Sequence, residues 1–196
     1  MPNWCYTTYR ITGKKEELER LLSLIERAKH DNKAQENSNW VGFVTGLLGG
    51  TPEDLYMRSW IEVAEMDGDS LMIQTEDAWG PVFGVWDYIC SRFKTLRLYF
   101  EGEEPGCGVY RHRPNYERGW FTDEYKVEYC KPRQISMSDE AQEYFGSLES
   151  ALSFVSRVSE RKVGSESDVE SLNSEWAKMD SDSYIYLNKF KNVDAD

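Results

Sequence analysis

The chain has no apolar run long enough to cross a bilayer. Its longest, Val41 to Leu48, is interrupted by Gly42, Thr45 and Gly46, whereas a spanning helix needs about 20 apolar residues. The opening Met1-Pro2-Asn3-Trp4-Cys5 has no basic stretch leading into an apolar one. No secretory signal and no membrane partner are therefore expected, and the expected location is the cytoplasm. Cysteine and histidine are scarce: Cys5, Cys90, Cys107 and Cys130 lie far apart with no C-x-x-C, beside only two histidines, His30 and His112. A structural zinc site takes about four such ligands in close pairs, so no metal is expected and the thiols should be packed and reduced. The motifs G-x-S-x-G, P-loop, G-x-G-x-x-G and H-E-x-x-H are all missing, so no catalytic residue, no cofactor and no enzymatic activity are expected.

Basic residues are also in deficit. Lys and Arg number 23 against 35 Asp and Glu, a formal net charge of -12. The imbalance is spread along the chain, with a net of -6 before Arg133 and -6 from there on. Such a surface repels phosphate backbones, so direct nucleic-acid binding is disfavoured unless a local basic patch exists. What the chain does have is apolar and aromatic substance: 40% hydrophobic and 14% aromatic over 196 residues, with seven tryptophans. That is enough to bury a core in one large or two small domains.

Periodicity outlines the elements. Trp4 to Thr12 alternates as a strand up to Gly13. Lys14 to His30 carries Leu18, Leu21, Leu22 and Ile25 on one helical face, with Glu16 and Glu17 early and Lys29 and His30 late, as the helix dipole favours. Asp31 to Asn39 reads as a loop, and Thr51 to Asp54 as a turn or a short helix start. Arg58 to Glu65 and Ser70 to Thr75 form a hairpin across Met66 to Asp69. Val82 to Phe93 is helical behind Pro81, with Trp86 on its core stripe, and Trp60 is expected to face the core as well. Leu96 to Glu101 is a strand, and Val109 to Arg113 with Trp120 to Tyr129 is expected to make another hairpin. The order predicts an α+β fold with a ferredoxin-like split βαβ antiparallel sheet. The expected domain is residues 1–131, with an insertion at 31–57 and an added hairpin at 109–129. Residues 132–196 are expected to be a helical C-terminal extension packed on it. That extension holds an apolar stripe from Leu148 to Val158, a capping box at Ser167 to Glu170, a second stripe of Val169, Leu172, Trp176 and Met179, and a last short strand from Tyr184.

Three segments carry a resemblance: Met1-Pro2-Asn3-Trp4-Cys5 before a strand ending at Gly13, Ala78-Trp79-Gly80-Pro81 opening a helix, and Glu104-Pro105-Gly106-Cys107-Gly108 after the strand from Leu96 to Phe100. In this order they resemble the YubB-like family over roughly residues 1 to 130. The resemblance implies a ferredoxin-like domain and a setting on phages, plasmids or integrated mobile elements. That family has no established activity, so the resemblance supplies no catalytic residue.

The expected function is that of an acidic accessory protein that binds and inhibits a host or defence protein. It would do so by mimicking nucleic acid in a basic groove, in the manner of anti-CRISPR proteins. The expected partner-binding acids are Glu101, Glu103, Glu104, Glu166, Asp168, Glu170, Asp180 and Asp182. The alternative is a nucleic-acid or nucleotide-binding module on the one basic and aromatic segment, Arg111, Arg113, Tyr116, Arg118 and Trp120, since guanidinium forks bind phosphate and aromatic faces stack bases. Glu101, Glu103 and Glu104 at a strand end are also weighed as an acid–base or cation site.

Overall fold

The computed structural model describes residues 3–50, 53, 55–133 and 140–194; most of the turn expected at 51–54 lies outside these. The chain is an α+β protein that divides into two compact units, residues 1–121 with 192–196, and residues 122–191.

The first unit begins with β1 (Trp4–Thr12) and α1 (Lys15–Asp31). A polar turn region leads to the short α2 (Val41–Leu47). β2 (Ser59–Asp67) and β3 (Ser70–Ala78) form the expected hairpin, followed by α3 (Phe83–Ser91), β4 (Arg97–Glu104) and β5 (Val109–Arg113). The sheet order is β2-β3-β1-β4-β5, extended by a two-residue strand at Lys191–Asn192. The β1–β3, β1–β4, β2–β3 and β4–β5 pairs are all antiparallel.

Alternation, interrupted by a register shift between Ile61 and Val63 of β2, gives this sheet two different faces. Along β1, Cys5, Thr7, Tyr9 and Ile11 are buried while Trp4, Tyr6, Thr8, Arg10 and Thr12 are not. The buried face takes the apolar stripes of both long helices: Leu18, Leu21 and Ile25 of α1 and Val85, Trp86 and Ile89 of α3 join Tyr9, Ile11, Leu71, Ile73, Leu98 and Phe100 in one core. Trp86 and Phe100 both pack on the Tyr9 ring, with centroids 5.4 and 5.6 Å away. Each such large side chain removed from water contributes about 1.5–3 kcal/mol.

Two sequence expectations change here. Trp60 takes the open face, because its neighbour Ile61 is the residue that enters the core (1% exposed). Val109 to Arg113 pairs with β4, and the segment from Tyr125 on belongs to another sheet, so no hairpin joins them. Instead Asn115 and Trp120 close a tight loop through mutual backbone hydrogen bonds of 2.9 and 3.0 Å. Gly119 and Phe121, both with positive φ, then turn the chain away.

The second unit has a three-stranded antiparallel sheet, with β6 (Tyr125–Cys130) between β7 (Glu140–Phe145) and β8 (Tyr184–Lys189). Two helices accompany it, α4 (Leu148–Ser159) and α5 (Glu166–Met179). Its own core of Val127, Ala151, Val155, Val169, Leu172, Trp176 and Ile185 shows that this region is more than a helical extension, and that the boundary falls before β6. The α5 cap is Ser165, whose hydroxyl accepts from the Asp168 N–H, two residues before the expected capping box. Among the described residues no helix is long and apolar enough to cross a membrane.

Candidate functional site

The three motif segments meet at one end of the first sheet, where β1 starts and β3 and β4 finish. Cys5, Asp77 and Ser59 lie opposite one another in register across β1, β3 and β2, all on the helix side and all buried. The Asp77 carboxylate accepts four hydrogen bonds: Thr7 Oγ1 at 2.8 Å, Tyr9 OH at 3.0 Å, Thr75 Oγ1 at 2.8 Å and the Val82 N–H at 2.9 Å. The last satisfies a backbone donor at the start of α3, where Val82 occupies the N-cap position and offers no side-chain acceptor. Burial raises the Asp77 carboxyl above its usual value, against the pull of these donors. The strand-to-helix corner itself is tight. Trp79 adopts a left-handed φ of 71° and its N–H donates to Asn3 O at 2.9 Å. Pro81 packs so closely on β4 that a Cβ at Gly102 would meet Pro81 Cγ at 2.4 Å.

The third motif is a capped turn. Glu104 Oε2 accepts from the Cys107 N–H at 2.5 Å, Gly108 follows with φ 64°, and Asn3 Nδ2 donates to Cys107 Sγ at 3.1 Å. The Ala78-Trp79-Gly80-Pro81 and Glu104-to-Gly108 motifs thus shape the backbone. Burial pushes the Cys5 and Cys90 thiols each up to about 12, so neither is a nucleophile at neutral pH.

The opposite, open face at this same end carries aromatic and acidic groups, exposed at Tyr6 and Trp4, half-buried at Trp60, Glu76 and Glu103, and buried at Tyr110. One transverse row runs across five strands: Trp60 on β2, Glu76 on β3, Tyr6 on β1, Glu103 on β4 and Tyr110 on β5. Aromatic and carboxylate side chains alternate along it at the strand spacing of about 4.8 Å. Tyr6 is 65% exposed and Trp4, one row further out, is 36% exposed. Trp4 and Trp60 meet edge to face, with centroids 5.2 Å apart and planes at 84°. Glu101 shares this face through its pairing with Thr8, as do Glu65 and Asp67 through Met72 and Ser70.

At the far end, the loop after β5 folds onto this face. Both Arg10 and Arg118 lie over the Trp120 ring, 4.8 and 5.0 Å from its centroid. Arg10 pairs with Asp67 at 2.7 Å, and Arg118 forks onto Asp69 at 2.6 and 2.7 Å. Trp120 is therefore engaged rather than free on the surface.

The sequence-expected site residues fall in different places. Glu101 and Glu103 share the open face, but alternation turns Glu104 to the other side, where it is 4% exposed and caps the turn. The three carboxylates therefore do not converge. Glu166, Asp168 and Glu170 are exposed on the first turns of α5, and Asp168 accepts from the Gly164 N–H at 2.9 Å. Asp180 and Asp182 lie past the other end of that helix, about 20 Å away at 1.5 Å per residue, and Arg133 engages both. Of the basic–aromatic segment, Arg111 and Arg113 pair with Gly102 and Phe100 of the core face, while Trp120 lies against the open one. Arg113 forks onto Asp87 at 2.6 and 3.0 Å and pairs with Asp194 at 2.8 Å; Tyr116 is 67% exposed at the loop tip. The segment thus does not form one phosphate-gripping patch. Among the described residues no three His, Cys, Asp or Glu side chains are grouped to hold a metal ion.

Reading by element missed Tyr6, Glu76 and Trp60 as partners. The signal was present, because each sits at an out-facing position of an alternating strand, but only the register places them in one row. Comparison with family models, curated proteins and solved structures returned no match.

Proposed function

We propose that this chain is a non-catalytic binding protein with a ferredoxin-like first domain, serving a phage or mobile element by engaging a basic host or defence protein through the open face of its first sheet. The strand order β4-β1-β3-β2, with antiparallel neighbours and both long helices packed on one face, supports the ferredoxin-like reading. The resemblance to YubB-like proteins supports the genetic setting.

One observation carries the functional reading: the row of Trp60, Glu76, Tyr6 and Glu103, with Trp4 beside it, on the face opposite the one on which α1 and α3 pack. Tryptophan and tyrosine are the side chains that most often anchor protein interfaces. Carboxylates interleaved with them select a cationic partner and exclude a polyanionic one. A groove built for nucleic acid offers that complement, so occupying it would inhibit its owner.

The test is capture from host lysate at low and high salt, comparing the wild type with a variant carrying Glu76→Gln, Glu101→Gln and Glu103→Gln. The expected result is a protein partner retained at low salt, released at high salt, and bound at least tenfold more weakly by the variant. Salt-indifferent capture, or capture untouched by the substitutions, refutes the acidic face. A gel shift with single-stranded DNA or RNA at low salt would instead favour the segment from Arg111 to Trp120.

A further inference from the structure

Resting on that reading, we propose that the right-angled corner between Trp4 and Trp60, bordered by Glu62 and Glu76, seats one arginine side chain of the basic partner. The two indoles line a shallow cleft of about 490 Å³ together with Asn37, Asn39, Arg58, Glu62 and Glu76. Their near-perpendicular planes present an aromatic face beside an aromatic edge, and the face of an indole attracts a cation more strongly than that of tyrosine or phenylalanine. Glu76 lies directly across from Trp60 in register, so a guanidinium lying on the indole has a carboxylate at the distance of one strand. Glu62 is steadied by the Asn39 amide, which donates to Oε1 at 2.8 Å, while Oε2 makes no hydrogen bond among the described residues. A guanidinium suits this arrangement better than an ammonium, because its flat surface stacks while its edge donates bidentately.

Arg58 makes the assignment sharper. It is exposed at the rim of the same cleft, with no ion pair among the described residues. A seat for a cation must work against this resident charge, so removing Arg58 should strengthen binding while removing Glu76 weakens it. A role confined to folding gives no such opposition of sign.

The probe is a fluorescently labelled arginine-rich peptide, with a counterpart in which every arginine is citrulline, titrated at low salt into the full chain and read by anisotropy and tryptophan quenching. The expected result is that citrulline abolishes binding, that Glu76→Gln and Trp60→Leu each weaken it about fivefold to thirtyfold, and that Arg58→Gln strengthens it. Far-UV circular dichroism identifies any variant that fails to fold, and Glu76→Gln with Arg58→Gln suffices if Trp60→Leu does. Equal binding of the citrulline peptide, or wild-type affinity in Glu76→Gln, overturns the seat. If Glu101→Gln with Glu103→Gln weakens binding while Glu76→Gln and Arg58→Gln do nothing, the corner falls and the acidic face stands. If the wild type ignores the arginine peptide altogether, both readings fall together.

Discussion

Glu76 and Asp77 are neighbours in the chain with the same charged group, and the sheet gives them opposite lives. Asp77 points to the helix side, is 0% exposed and gathers four donors; Glu76 points to the open face, between Trp60 and Tyr6. A carboxylate surrounded by donors in the core is structural, because moving it leaves those donors unsatisfied. A half-buried carboxylate on the open face, beside the 65%-exposed Tyr6 ring, lies where a partner can reach it. The two faces of one strand therefore separate folding from recognition over a single peptide bond.

That contrast breaks most readily at Asp77. Asp77→Ala should cost about 3 kcal/mol or more, since several buried donors lose their acceptor at once, while Glu76→Gln should stay within about 0.5 kcal/mol of wild type; urea denaturation checks both. Similar losses at the two positions would dissolve the comparison. The next effect in size belongs to the corner that Asp77 anchors. Gly102→Ala places a methyl 2.4 Å from Pro81 Cγ and 2.8 Å from Thr7 Oγ1, and overpacking of this kind costs about 1–3 kcal/mol.

A subtler measure is pH. Burial raises the folded Asp77 carboxyl, so the native state holds its proton more tightly than the unfolded chain does. Between the ordinary carboxyl value of 3.8 and the raised one, the native state binds more protons, and stability falls as pH rises through that window. Denaturation from mildly acidic to neutral pH should show this slope in the wild type and not in Asp77→Asn. A slope of the opposite sign would mean that the donors outweigh burial.

The smallest expected effect concerns the thiols. A thiol reagent at neutral pH should modify the exposed Cys107 well before the buried Cys5 and Cys90, and rapid labelling of Cys5 would show that the helix-side face opens easily.

Much of the first unit was legible beforehand. β1 matches its expected bounds, α1 and α3 carry the expected stripes, and the β2–β3 turn falls at Asp67 to Ser70. These elements depend on periodicity and turn chemistry, which are local. The loop after β5 was misjudged because Trp120 to Tyr129 has strand character throughout, and only competition for partners sends Tyr125 onward to another sheet. Trp60 was misplaced for a related reason: in an alternating run flanked by apolar residues on both phases, the phase that meets the core depends on what the core has room for.

The amino-acid order alone determined which segments coil and which extend, the excess of negative charge, and the stops and caps that bound each element, because these follow from side-chain spacing within a few residues. Only the folded molecule decided that Glu104 would turn inward, that Arg113 and Arg118 would be neutralised by Asp87 and Asp69, and that Trp60, Glu76, Tyr6 and Glu103 would stand in one row. Those outcomes depend on which strand pairs with which and in what register, and register is set by burying the whole sheet face at once.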